Sequence, residues 1–434
     1  MAVLERVADL AWGPFTLLVL MLFGGWITVK SRGIYFFRAP TALKKLFSSG
    51  HKGDITPFMA LSNALAATMG TGNIVGVASA VAAGGPGALL WMQAAAIFGM
   101  MIKFSETALA LRFRRFGAGP MGYLKKIKHI GGLLSLIFAI SCISASIGSG
   151  CMTQSNSAAS ALQSISVSPV ISAAVFGMLC WAATSGGING IMRLSSYAIP
   201  FITVGYIVMS LAVIIKFRED IAAVSLDIVR SAFCFKAAAG GAAGYTVKKA
   251  LRYGLSRGIF SNEAGMGSSA IAYSLSGDDD IEGQGMLAVA EVFIDTVICC
   301  TMTGMVLLLS KCEFVGADGA GMAINAFSSA LGNIYGKMTA VFIALFGLAS
   351  VCGWFTFGFE AVNEIFPNSR CSVRVYRILY SVAAAAGALT ASETVWLLSD
   401  MLTGIMLLVN LFGMILLFDD IKQLVSTENR CNVI

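Results

Sequence analysis

The sequence predicts an all-α integral membrane protein with about eleven transmembrane helices. One helix stands at the N-terminus, and a 5+5 inverted repeat with two broken helices follows. Three observations predict this. Hydrophobic residues make up 57% of the 434-residue chain and charged ones only 12%, where a soluble domain carries about 25% charged residues. The length accommodates about a dozen spans of about 20 residues, and 47 glycines let such helices approach closely. Two of the apolar runs are interrupted by glycine-rich polar stretches, residues 66–73 and 257–267. Unwound backbone in a bilayer is tolerated only where protein buries it or where it lines a cavity. A pair of such breaks in corresponding positions of two halves points to the binding site of a secondary transporter.

The first apolar run, 11–29, ends in Lys30 and Arg32 rather than in a small-residue cleavage site, so it reads as a retained span. A basic loop completes an N-terminal segment of 1–52. The first five-helix set, 53–216, holds spans near 58–82, 87–111, 132–161, 168–188 and 195–215. An extracytoplasmic loop, 217–248, leads to the second set, 249–420, with spans near 251–276, 285–310, 337–358, 373–390 and 394–418. Residues 421–434 form a tail. Five is odd, so the second set starts from the opposite side of the membrane, and each broken helix opens its set. Basic loops carrying Lys44, Lys45, Arg114, Arg115, Lys125 and Lys126 place the N-terminus outside and the C-terminus in the cytoplasm, in a cell membrane. The basic segment 216–252 and the acidic run Asp278–Asp280 oppose that orientation.

Other classes find little support. The net charge of +7 comes from loop residues that orient a membrane protein, so no nucleic-acid partner is expected. The ten cysteines show no metal-type spacing, and His51 and His129 sit in basic loops, so neither a resident metal nor a cofactor is expected. An enzyme would need a nucleophile–base pair or a metal cluster, and none is visible. A channel of repeated pore-lining subunits fits a chain with its own inverted pair poorly. A monomer suffices for function.

The chain resembles the alanine/glycine:cation symporter family, also called sodium:alanine symporters. The matching runs are Gly70-Thr71-Gly72-Asn73-Ile74-Val75-Gly76-Val77-Ala78, Gly84-Gly85-Pro86-Gly87-Ala88 and Arg257-Gly258-Ile259-Phe260-Ser261-Asn262-Glu263-Ala264-Gly265. Val292-Phe293-Ile294-Asp295-Thr296, Gly353-Trp354 and Leu398-Ser399-Asp400 are similar too, so the resemblance spans about residues 55–420. It implies a leucine-transporter-type fold and sodium-driven uptake of alanine or glycine. Leu90-Trp91-Met92-Gln93 and Ala349-Ser350 depart from the family's Phe-Trp-Met-Trp and Thr-Thr.

A zwitterionic amino acid needs donors for its carboxylate, acceptors for its ammonium and a wall sized to its side chain. Backbone at Gly70, Thr71 and Gly72 suits the carboxylate, since a half-helix N-terminus attracts anions and glycine lets backbone come close. These glycines read alternatively as packing notches. Asn73 offers an amide that donates and accepts. At the second break, carbonyls around Phe260, Ser261 and Asn262 suit the ammonium, and Phe260 walls the pocket. Glu263 binds the ammonium, carries a proton or merely caps the next half-helix. Gln154 is the preferred polar residue of the third helix, and Trp354 either closes the pocket or packs. Sodium prefers oxygen ligands. The resemblance places it among the Ala66, Met69, Phe346 and Ala349 carbonyls and the Ser350 hydroxyl, with Thr68 or Thr71 as a further hydroxyl. Lys103 and Glu106 read as a pair on one helix, Glu291 and Asp295 as gating or structural carboxylates, and Asp400 as solvated. A proton-coupled permease with Glu263 as carrier is the alternative.

Overall fold

Prolines and capping side chains fix where the helices begin. Thr56 accepts from the Met59 amide at 3.2 Å just ahead of Pro57. Ser168 does the same for Val170 ahead of Pro169, and Asp280, Asp318 and Ser369 cap three more helices. Such oxygens satisfy amides that have no partner in the first turn, where proline lacks an amide to strand. The computed structural model describes residues 2–31, 33, 54–233, 247–311 and 318–427.

Among the described residues there are helices and no strands. In chain order the helices are α1 (Ala2–Ala11), α2 (Pro14–Lys30), α3 (Pro57–Thr68), α4 (Val75–Gly84), α5 (Gly87–Arg112) and α6 (Pro120–Leu124). Next come α7 (Gly131–Gln163), α8 (Pro169–Ser185), α9 (Gly187–Lys216), α10 (Ile221–Ala232), α11 (Val247–Asn262) and α12 (Ser268–Ser274). The last are α13 (Ile281–Leu309), α14 (Gly319–Leu331), α15 (Asn333–Ile365), α16 (Arg370–Leu389), α17 (Ser392–Leu416) and α18 (Phe418–Thr427). Two helices contain a π-helical stretch, Gly148–Thr153 in α7 and Phe293–Cys300 in α13. Such stretches concentrate at functional sites.

Helices lie on every predicted span. By length and apolarity alone, seven helices among the described residues qualify as crossing a membrane, and eight if the bent pair Pro57–Thr68 and Thr71–Gly84 counts as one. The other three predicted spans have physical reasons to fall short. Helix α8 has only 17 residues, α11 is polar and interrupted, and α16 carries Arg370, Arg374 and Arg377. The expected loop 217–248 contains the amphipathic helix α10, and residues 234–246 lie outside the described residues, as do 34–53 of the basic N-terminal loop. The short helix α14, capped by Asp318, was not expected; it packs against α4 and α15. The tail begins as helix α18.

Candidate functional site

The first break starts at Met69, and the two half-helices meet at 57°. The Gly70 amide turns back to the Thr68 carbonyl at 2.8 Å instead of continuing the ladder to Ala66. Thr71 sends its amide and its hydroxyl to Gln154 Oε1, at 2.9 and 3.0 Å, instead of reaching Ala67. The carbonyls of Ala66 and Ala67 thereby lose their helical partners. Ser350 on α15 donates its hydroxyl to the Ala67 carbonyl at 2.9 Å. Gly70 is glycine because of its neighbours: a Cβ there would stand 2.6 Å from Gln154 Oε1 and 2.9 Å from Ser350 Oγ. Gly353 similarly lets α15 cross α3, since a Cβ would stand 2.6 Å from the Ala67 amide nitrogen.

The second break runs from Glu263 to Gly267. Three of its residues have positive φ: Glu263 at 56°, Gly265 at 88° and Gly267 at 73°, which is uncommon for a residue with a side chain such as Glu263. The Asn262 carboxamide oxygen accepts from the Ala264 amide at 3.0 Å. Glu263 accepts a hydrogen bond from the Ser268 hydroxyl in the first turn of α12, so it does tie the next half-helix.

Asp295, buried in the π-helical stretch of α13, joins the two breaks. Its backbone carbonyl and Oδ1 accept from the Asn73 side-chain nitrogen Nδ2 at 3.0 and 2.7 Å. Its Oδ2 accepts from the hydroxyls of Ser261 at 3.0 Å and Thr296 at 2.6 Å. One carboxylate therefore fixes Asn73 of the first break and Ser261 in the last turn of α11, just ahead of the second.

Both breaks open onto one small cavity. Its walls include Gly72 and Thr68 from the first break, Phe260, Ser261, Glu263 and Met266 from the second. Ser149 and Gln154 of α7, Trp354 of α15 and Thr403 of α17 complete it. The space is tight, with a volume of about 10 Å³, about one water's worth. Trp354 both lines the cavity and packs: Gly150 lies so close that a Cβ would fall on the indole, and Phe357 meets the ring edge-on at 5.5 Å.

Not every expected residue faces the cavity. Gly70 and Thr71 are turned toward Gln154 and Ser350, and Asn73 toward Asp295. Asn262 lies against Gly99 of α5. Of the expected sodium ligands, Ser350 adjoins the first break, Phe346 is buried edge-on against Tyr206, and Ala349 is half-buried. Ser149, Met266 and Thr403 were not named as site residues; glycines flank the first two, in Gly148-Ser149-Gly150 and Gly265-Met266-Gly267, and nothing in the sequence marks Thr403. The expected Lys103–Glu106 pair does not form. Lys103 reaches across to Glu291 at 2.8 Å and to Ser269, and the Tyr273 hydroxyl donates to the other Glu291 oxygen at 3.0 Å. Glu106 instead accepts from Asn410 at 2.6 Å, and Asn410 also holds the Gly265 carbonyl at 2.8 Å. A facing helix offers Lys103 a better-aimed carboxylate than its own helix does.

Comparison with known proteins agrees with this geometry. The sequence model of the sodium:alanine symporter family matches residues 1–430. A sodium/alanine symporter, AgcS of Methanococcus maripaludis, is 35% identical over 433 residues, covering 96% of this chain and 94% of its own. An uncharacterised transporter of Haemophilus influenzae is likewise 35% identical, over 95% and 93% of the two chains. A probable sodium/glutamine symporter, GlnT of Bacillus subtilis, is 31% identical over 94% and 86%. Among solved structures, a Na+-coupled sialic acid symporter superimposes with a TM-score of 0.58 at 13% identity, over 92% of this chain and 87% of the other. That likeness concerns the fold.

Proposed function

The chain belongs to the sodium:alanine symporter family, and from that premise we propose that it carries alanine or glycine into the cell together with sodium, by alternating access. It is a secondary transporter of the membrane and not an enzyme. The observation that carries the substrate reading is the shared cavity, where two broken helices present opposite chemistry within one small space. The Gly72 backbone takes the substrate carboxylate. Glu263 and the carbonyls at the end of α11 take the ammonium, and Phe260, Met266 and Trp354 wall a space that has to widen to admit even a small side chain.

Sodium binds beside the first break, among the carbonyls of Ala66, Met69, Phe346 and Ala349 and the Ser350 hydroxyl. Support comes from the Ala66 carbonyl, which has lost its helical partner, and from Ser350 close to Gly70. The adjoining Ala67 carbonyl is a further candidate. Coupling follows from geometry. The segment Gly70–Gly72 borders the cation at one end and the substrate at the other, so ordering by one ligand lowers the cost of binding the other. In this reading the two five-helix sets are inverted repeats, the N-terminus is outside, and one chain is the working unit.

Proton coupling is favoured by one observation, the Glu263 carboxylate at the cavity wall. Uptake of labelled alanine into proteoliposomes separates the two. An imposed sodium gradient is expected to drive accumulation at least tenfold above a sodium-free control. Uptake indifferent to sodium and driven by a pH gradient would overturn sodium coupling in favour of Glu263.

A further inference from the structure

Many basic side chains of this chain find a carboxylate. Arg257 donates through both terminal nitrogens to Asp400 at 2.8 and 2.9 Å, so Asp400, expected to be solvated, is half of an ion pair. Lys103, Lys125 and Lys311 are paired likewise. Three arginines of α16 are not. Among the described residues no carboxylate pairs with Arg370, Arg374 or Arg377.

Arg377 is nonetheless held in place. Its guanidinium lies over the exposed Trp181 ring of α8, 3.8 Å from the centroid. Its Nη2 donates to the Ser185 hydroxyl at 2.9 Å, while its Nε is buried and has no acceptor. Spacings of four and three residues put the three arginines on one face of α16, where that helix begins beside the end of α8. The surface turns apolar further along. Ile378 and Val382, four and eight residues beyond Arg374, are exposed, and so is Met178, three residues before Trp181. Cations at the border of an exposed apolar face, with an indole between them, match the chemistry of a membrane interface.

We propose that the α8–α16 surface holds an anionic phospholipid, with its phosphate on Arg374 and Arg377 and its acyl chains along Ile378, Val382 and Met178. Charge selects the headgroup. A phosphatidylglycerol head brings net negative charge to three unmatched cations, whereas a phosphatidylcholine head brings a cation of its own. Geometry favours phosphate, because a guanidinium meets two phosphate oxygens with parallel N–H bonds. A guanidinium already flat on an indole gives up little freedom in doing so. The apolar stretch selects a lipid over a soluble anion, since free phosphate gains nothing from Ile378 or Val382.

Brominated acyl chains quench an adjoining indole, so Trp181 reports on its own site. Purified full-length protein in neutral detergent is titrated with brominated phosphatidylglycerol or phosphatidylcholine, and the Trp181 signal is the part absent from Trp181→Phe. Phosphatidylglycerol is expected to quench it at a several-fold lower concentration than phosphatidylcholine. A basic side chain near a membrane surface is worth roughly a factor of five toward an anionic lipid. Arg374→Gln/Arg377→Gln should therefore raise the phosphatidylglycerol midpoint about tenfold or more and leave that of phosphatidylcholine nearly unchanged. Should the double variant not be monodisperse, Arg374→Gln alone, at an exposed side chain, should raise it about fivefold. Equal midpoints for the two lipids, or a midpoint that the charge variants do not move, would overturn the site. Reversal of the quenching by inorganic phosphate would replace the lipid with a soluble anion and overturn it equally.

Discussion

The two breaks meet at one cavity, yet they are held open by different chemistry. Neutral groups hold the first: Gln154 accepts from Thr71, and Ser350 donates to the Ala67 carbonyl. Charge surrounds the second, where Glu263 ties α12, and Asn410, which also donates to Glu106, holds the Gly265 carbonyl from behind. The Lys103–Glu291 pair buttresses α12 through Ser269. A dehydrated metal cation is matched by carbonyl and hydroxyl oxygens that have been freed from helical bonding, which the first break offers. An ammonium is matched by a carboxylate at a cavity wall, which the second offers. Asp295 bonds Asn73 of the first break and Ser261 at the end of α11, just ahead of the second. The difference argues for one cation at each break, the metal at the first and the amino group at the second.

Removing the charge behind the second break should have the largest effect. Lys103→Met strands the buried Glu291 carboxylate, and loss of one partner of a buried pair costs about 3–5 kcal/mol. Thermal unfolding in detergent should show a large drop in midpoint, with Lys103→Met/Glu291→Gln recovering much of it. A single variant as stable as wild type would mean that Glu291 does not depend on the ammonium. Next in size is Glu263→Gln. A hydrogen bond to a charged group is worth about 1.5–3 kcal/mol, so alanine binding should weaken by roughly ten- to a hundredfold at saturating sodium. Unchanged affinity with loss of pH-driven uptake would reassign Glu263 from ammonium partner to proton carrier.

These variants also mark what the sequence made legible. The spans were legible because length and apolarity are properties of a run, and the breaks because glycine inside such a run has few other uses. Gly72, Gln154, Phe260, Ser261, Glu263 and Trp354 could be picked out because they lie in or beside glycine-marked positions. Thr403 could not, since an ordinary residue faces a cavity only through the rotation its helix adopts in packing; Ser149 and Met266 were flanked by glycines but passed over. Asp295 was visible as a buried charge, but its bridge between the breaks depends on the π-helical turn that aims it. Helix α14 was missed because 13 small and apolar residues behind an Asp cap look like a loop between longer spans.

Gly72→Ala probes the border between the two chemistries. A Cβ there would meet the Phe260 ring and Ser261 Cα at 3.9 Å, an ordinary contact, so the variant should fold. The methyl would enter the cavity where the substrate carboxylate is proposed to bind. Alanine affinity should fall by more than tenfold, about 1.4 kcal/mol, in a binding titration on monodisperse protein. Unchanged affinity would remove the first break from the substrate site and leave it to the cation alone.

The smallest expected effect isolates the first break's own ligand. Ser350→Ala deletes one neutral oxygen beside Gly70 and the hydrogen bond to Ala67, and touches none of the charged groups around the second break. A neutral hydrogen-bonding group contributes about 1 kcal/mol, so the sodium concentration for half-maximal uptake should rise roughly fivefold. Alanine affinity at saturating sodium should stay nearly constant, because Glu263, the proposed ammonium partner, and the Gly72 backbone are untouched. If the variant instead weakened alanine binding at all sodium concentrations, the Ser350–Ala67 contact would be bracing the substrate site, and the cation would have to be sought elsewhere. Titrating sodium at several fixed alanine concentrations distinguishes the two, since a lost cation ligand shifts the sodium midpoint and a lost brace lowers substrate affinity even when sodium saturates.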